Sequence, residues 1–364
     1  MQNRWKLGHR PALDGLRGTA VLLVMASHIG LTGFGSGGWP GVTLFFVLSG
    51  FLISTLLLEE RAATGGVRLR AFYFRRACRL FPALAAFVVI VGGAQILSGA
   101  PKIGTVLVGI VLYYSNWDFV RGIAVAPMAH VWSLAIEEQF YIVWPGLLLA
   151  GLAITKGRLK MILIGLAIGI IASTVLRLVL FDISGYSRAY YGTDTRADAL
   201  LLGCALAVVF HSGRILSPSR LFAIVAALVI FVISWPPYLP QYNGPEMLGL
   251  TAGALASVVL VALAATKGSR ILELRPLVLT GRISYGLYLW HVPILGVSSV
   301  AFADVFGHDP SFRWHVVVFF VMSFAAAIVS WYVVESPIQR WGRRRLASAS
   351  LRAEPIIEAA AAGS

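Results

Sequence analysis

The stretch Leu13-Asp14-Gly15-Leu16-Arg17-Gly18-Thr19-Ala20-Val21-Leu22-Leu23-Val24-Met25-Ala26-Ser27-His28 decides how this chain is read. It opens an apolar run of membrane-spanning length, 14–33, yet carries ionisable groups within it. At helical pitch, the eleven-residue step from Arg17 to His28 is about three turns. Both side chains therefore project from one face, roughly 16 Å apart, with Asp14 near the same face. A charged group near the centre of a membrane helix costs about 2–3 kcal/mol or more and usually serves a pathway or a reaction. Snorkelling accounts for Arg17, close to the helix start. It does not account for His28, which is too deep to reach water.

The surrounding sequence supports a membrane protein. The 364 residues are 58% hydrophobic and 13% charged, with a mean hydropathy of +0.80, whereas about a quarter of a soluble domain is charged. Apolar runs fall near 14–33, 41–58, 80–98, 132–154, 159–181, 197–210, 220–236, 246–265, 283–303 and 313–334. The expected fold is all-α and polytopic, with about ten transmembrane helices. The net charge of +14 is concentrated between the runs, a mark of topology and not of nucleic-acid binding. The basic segments are the N-terminus (Arg4, Lys6, Arg10), 61–79, 156–160, 211–220, 267–282 and the tail from Arg340. All fall on one side of a ten-span chain, so both termini are expected in the cytoplasm and the protein in the cell (inner) membrane. Residues 103–130, with Tyr113, Tyr114 and Trp117, then belong outside or in the outer interface. The Gly-rich segment 33–41 is also placed outside, as a tight turn or a close approach for a substrate.

The first run reads as a retained helix because no small-residue cleavage site follows it. Residues 1–345 are expected to form one integral membrane domain and 346–364 a disordered tail. Cys78 lies in a basic loop and Cys204 in an apolar run, so no disulfide is expected. No His/Cys cluster has metal spacing and no nucleotide-binding fingerprint is present.

The polar residues inside the runs carry the functional signal. Glu137 and Glu138 open the fourth span and point about 100° apart, so only one is expected to line the interior. Glu138 lies roughly 10 Å deep if that span starts near 131, and His28 roughly 20 Å from the opposite side. In a core of about 30 Å the depths coincide. A His28–Glu138 pair is thus open, beside the alternative of acidic residues stabilising a helix start. Arg75, Arg76 and Arg79 sit against the third span and suit phosphate binding. Arg196 and Asp198 suggest a local ion pair. Tyr285, Tyr288 and His291 follow one another at a spacing of three, which places neighbours on a shared face. Glu335 ends the last span and could meet the arginines of 75–79.

In this order, Leu13–Gly18 with His28, Phe45-Phe46-Val47-Leu48-Ser49-Gly50-Phe51-Leu52-Ile53, Arg75–Pro82, Trp132-Ser133-Leu134 with Glu137–Tyr141, Ser284–Tyr288 and Glu335-Ser336-Pro337 resemble the membrane-bound acyltransferase 3 family. The likeness runs from about Arg10 to Trp341. It implies transfer of an acyl group, commonly acetyl, from cytoplasmic acyl-CoA to a hydroxyl of a carbohydrate or glycosylated acceptor, without a metal. Arg17 and His28 match the family's Arg-x10-His signature. On this reading His28 is the general base, Glu138 orients it, and Arg17 or a tyrosine stabilises the oxyanion. Arg75, Arg76 and Arg79, with Glu335 and Tyr285, form the acyl-CoA site. A covalent acyl-histidine is a variant of the same scheme. Some relatives carry a further soluble hydrolase-like domain; with only a short tail after the last span, direct transfer is expected here. The competing classes are a glycan or lipid transporter or flippase, which consumes no acyl-CoA, and a non-catalytic scaffold, which tolerates loss of Arg17 and His28.

Overall fold

The computed structural model of the protein describes residues 5–31, 38–234, 244–306 and 312–348. Among these the chain is all-helical, with no strand. The long elements are α1 (Pro11–His28), α2 (Trp39–Thr64) and α3 (Leu69–Phe87), the last passing through a π-helical turn (Val88–Gly92) into α4 (Gly93–Leu97). Short α5 (Ile103–Val111), α6 (Ser115–Val120) and a 3₁₀ turn (Ala126–Val131) lead into α7 (Trp132–Ile154). Then follow α8 (Leu159–Tyr191), α9 (Thr193–His211), α10 (Arg220–Ser234), α11 (Gly244–Thr266), α12 (Arg275–Arg282), α13 (Ser284–Phe306) and α14 (Phe312–Ser330). A second π-helical turn, Trp331–Glu335, continues α14.

Among the described residues, five helices are long and apolar enough to cross a membrane by length and composition: Trp39–Thr64, Leu69–Leu97, Leu159–Tyr191, Met247–Thr266 and Arg313–Ser348. The ten apolar runs of the sequence lie on α1, α2, α3 with α4, and then α7, α8, α9, α10, α11, α13 and α14. Residues 103–116, kept apart from the spans, form α5 and the start of α6. Residues 33–37 of the Gly-rich segment lie outside the described residues, as does the tail from 349, while 346–348 continue the last helix. Cys78 and Cys204 are both free. In α8, Gly185 has φ +79°, a left-handed conformation natural to glycine, and the helix kinks there.

Small residues set the closest helix contacts. A Cβ on Gly50 would lie on the Leu200 carbonyl oxygen, and one on Gly203 on that of Val47, so α2 and α9 meet backbone to backbone. The helix carrying Arg17 is held the same way on α12 and the residues just before it: Gly15 faces the carbonyl of Leu272, Gly18 that of Leu277, and Gly281 that of Asp14. Close approach of this kind is how helices associate in lipid, where apolar burial gives little drive. Gly203→Ala is therefore expected to cost about 1–3 kcal/mol through overpacking. Thermal unfolding of the detergent-solubilised protein checks this, with Gly146→Ala, whose Cβ would meet nothing within 4 Å, as the comparison that loses no stability.

A buried ion pair joins α8 to α9. Arg177 Nη1 donates to Asp198 Oδ1 at 3.0 Å and Nη2 to Oδ2 at 2.8 Å. Nη1 also reaches the Thr195 carbonyl, and Nη2 the Thr251 hydroxyl. The Arg196–Asp198 pairing expected from sequence is therefore corrected. Residues two apart on a helix point to different sides, and Arg196 instead donates to Thr43 Oγ1 at 3.1 Å and lies over the rings of Tyr190 and Phe46.

Candidate active site

A cavity of about 180 Å³ opens between α1, α2, α3, α7 and α13. Helical spacing brings its polar groups together. Arg76 and Arg79 are three apart on α3, Ser133, Glu137 and Tyr141 are four apart on α7, and Tyr285 and Tyr288 are three apart on α13. Arg17 enters from α1 and Ser49 from α2. Glu138 and Ser284 line it too, and the rest of the wall is apolar, with Phe45, Leu48, Leu52, Ile53 and Leu80.

Inside it, Arg76 Nε donates to Glu138 Oε2 at 2.9 Å, and its Nη2 to the other oxygen, a two-pronged pair. The same guanidinium lies over the Tyr141 ring, 3.1 Å from the centroid. Glu137 accepts from Ser49 Oγ and from Tyr141 Oη at 2.8 Å. Both glutamates thus line one cavity, correcting the expectation that only one would: α2 and α3 approach α7 from two directions and supply each carboxyl with its own partner. Tyr285 Oη donates to the Leu80 carbonyl at 3.1 Å and lines the same space. Among the described residues, neither Arg17 nor Arg79 forms an ion pair or a side-chain hydrogen bond. Arg79 is exposed and marks the open side.

Two expected members lie elsewhere. Arg75 is exposed and turns to Glu60, with 3.9 Å between Nη2 and Oε2. Glu335 is buried, accepts from Ser330 Oγ at 3.0 Å and sits behind Gly286, without an ion pair among the described residues.

His28 is not a wall of the cavity. It ends α1 half-buried, its Nδ1 donating to the Val24 carbonyl at 2.9 Å. Its ring neighbour is His291, with centroids 4.9 Å apart, and His291 lies 5.0 Å from His130. The depth argument for a His28–Glu138 pair is not met: the α7 end of the chain reaches the level of His28 at His130, and Glu138 lies eight residues further on, about 12 Å at helical rise. Glu138 is occupied by Arg76. Tyr288 links the two regions. It lines the cavity, its Oη pairs with Ser133 Oγ at 2.5 Å, and it donates to the His130 carbonyl at 2.8 Å. Glu137, Ser49, Tyr141 and His130 were not among the site residues expected from sequence, although Ser49, Glu137 and Tyr141 lie in the strings that carry the family resemblance.

The model of a family described as an acyltransferase domain, acyltransferase 3, matches residues 10–332, from the start of α1 into the last π-helical turn. The chain belongs to the acyltransferase 3 family. Relatives from this group are similar along almost all of it. Peptidoglycan O-acetyltransferase OatA of Listeria monocytogenes is 33% identical over 369 residues, 93% of this chain and 57% of its own. YrhL of Bacillus subtilis, provisionally named a peptidoglycan O-acetyltransferase, is 35% identical over 360 residues, 92% of this chain and 55% of its own. The chain thus spans somewhat over half the length of these acyltransferase 3 relatives. No solved structure matches it.

Proposed function

We propose that the protein is a multi-pass membrane O-acyltransferase that moves an acyl group, acetyl by preference, from cytoplasmic acyl-CoA to a carbohydrate hydroxyl. The carrying observation is the narrow, largely apolar cavity holding three guanidiniums against two carboxyl groups, in a chain of this family. Such a space suits a donor with an anionic nucleotide end and a thin flexible arm. The relatives' names supply the acceptor class, peptidoglycan or a similar envelope glycan.

In this reading the chain has ten spans in the inner membrane, with both termini cytoplasmic, in line with the side on which its basic segments collect. Arg79 at the open side and Arg17 within receive the donor's anionic groups. Arg76 is held in place by Glu138, so Glu138 serves the guanidinium and not the imidazole. Arg75 and Glu335 flank the site from outside the cavity, and Tyr285 shapes its wall. At the far end of α1, His28 takes the proton of the attacking hydroxyl as its oxygen bonds the acyl carbon, the carbon–sulfur bond breaks, and the sulfur leaves as thiol.

Membranes containing the protein are expected to transfer labelled acetyl from acetyl-CoA into envelope glycans, with one free thiol released per acetyl moved. Folded protein that neither releases thiol nor labels any glycan, with acetyl or longer acyl donors, would overturn this reading and return the transporter class.

A further inference from the structure

Three imidazoles, from three separate parts of the chain, meet beyond the inner end of the cavity. His28 closes α1, His130 lies in the 3₁₀ turn ahead of α7, and His291 is on α13. Their rings stand edge to face: His28 and His291 at 4.9 Å and 73°, His130 and His291 at 5.0 Å and 72°. His291 is 0% exposed and His130 3%.

Each ring has one nitrogen fixed by a backbone carbonyl, which only accepts. Nδ1 of His28 faces Val24 O at 2.9 Å. Nδ1 of His291 faces Tyr288 O at 2.8 Å and Leu287 O at 3.1 Å. Nε2 of His130 faces Leu289 O at 3.1 Å. Those nitrogens must carry the hydrogens of the neutral rings. The other nitrogen of each ring is then a bare lone pair. In His130 (Nδ1) and His291 (Nε2) it is buried and has no partner among the described residues. Buried acceptors without a donor are costly and call for an explanation. Here two of them adjoin the imidazole that ends α1.

The titratable groups around the cluster are few. The three rings face one another, and Tyr288 on α13 lies 5.5 Å from His130 and 5.6 Å from His291. From α3 the neighbour is Phe87, 5.8 Å from His130. Among the described residues no carboxylate, lysine or arginine forms an ion pair or hydrogen bond with any of the three. The cluster therefore offers bare acceptor nitrogens without a counter-charge, and its most accessible member is the half-buried His28.

We propose that His291 and His130 are positioning residues that share the proton taken up by His28, so that the three imidazoles act as one buried proton store during acyl transfer; this rests on the reading of His28 as the base. The proton leaves the attacking hydroxyl as its oxygen bonds the acyl carbon, resides on the cluster while the carbon–sulfur bond breaks, and returns to the departing sulfur. Nothing is gained or lost overall. Sharing spreads the charge over a site that offers no anion to balance it.

Histidine-¹⁵N spectra of the whole protein in lipid nanodiscs test this without reference to activity, because a bare and a protonated ring nitrogen resonate apart. In the wild type, acidification is expected to place one proton on the cluster and to move the signals of all three rings together. His291→Gln keeps a polar atom but cannot hold a proton, and it should uncouple His28 from His130. In acetyl transfer the same variant is expected to lower kcat about tenfold or more while KM for acetyl-CoA stays within about twofold. Three rings that titrate independently in the wild type would overturn the proposal, and so would a His291→Gln protein that turns over at the wild-type rate. If the wild type transfers no acetyl, the functional reading fails, and the shared proton still stands or falls on the spectra. Should His291→Gln not fold, the wild-type titration and His130→Asn decide the matter.

Discussion

His28→Ala is expected to leave a folded protein that transfers acetyl about a hundredfold to ten-thousandfold more slowly, the range that a positioned general base contributes. The hydroxyl of a sugar is a poor nucleophile at neutral pH and needs its proton removed as it attacks. The structure gives the variant a clear signature. His28 lies at the far end of α1 and is not part of the cavity wall, where Arg17, Arg76 and Arg79 stand. The loss should therefore fall on kcat, with acetyl-CoA binding measured by equilibrium dialysis unchanged. Arg79→Ala should show the opposite pattern, a higher KM for the donor with less effect on kcat. Transfer at the wild-type rate by His28→Ala would remove the imidazole from the chemistry.

Arg177→Leu is expected to be the most destabilising substitution of a polar residue outside the site, at about 3–5 kcal/mol, because it strands a buried Asp198 carboxylate. Arg177 is 0% exposed and contributes hydrogen bonds to α8–α9 and, through Thr251, to α11. Replacing both partners, Arg177→Leu with Asp198→Leu, should recover most of the loss, since an apolar pair of similar volume avoids the uncompensated charge. Thermal unfolding in detergent reads both. Equal damage from the single and the double variant would mean that the pair contributes through its links to Thr195 and Thr251 and not through charge.

These two regions also show where the sequence was legible. The apolar runs gave the helical class, and the eleven-residue step from Arg17 to His28 put both on α1, because spacing along one helix is fixed by its pitch. Arg76, Arg79 and Tyr285 line the cavity for the same reason: each shares a face with a neighbour three residues away. What could not be read was partnership between helices. Asp198 has an arginine two residues off in sequence, yet its partner comes from α8, and only the packing of α8 on α9 chooses it. Glu138 seemed at the right depth for His28, but the 3₁₀ turn before α7 places His130 at that level instead. Glu137 and Glu138 looked mutually exclusive until α2 and α3 were seen to flank α7 from two directions.

Gly15, Gly18 and Gly281 seat α1 against the backbone of α12 and its approach, with no side chains between them to repack. Eleven residues of one helix hold Arg17 and His28 roughly 16 Å apart along α1 by helical rise, a gauge of constant length that the glycine contacts seat against α12. Under the proposed chemistry, a donor must place its charge at one end of that gauge and its reactive carbon at the other. Acyl-CoA, with its long arm, can span it. Acetyl phosphate, whose anion and acyl carbon are separated by a single oxygen, cannot, however strongly the arginines attract it.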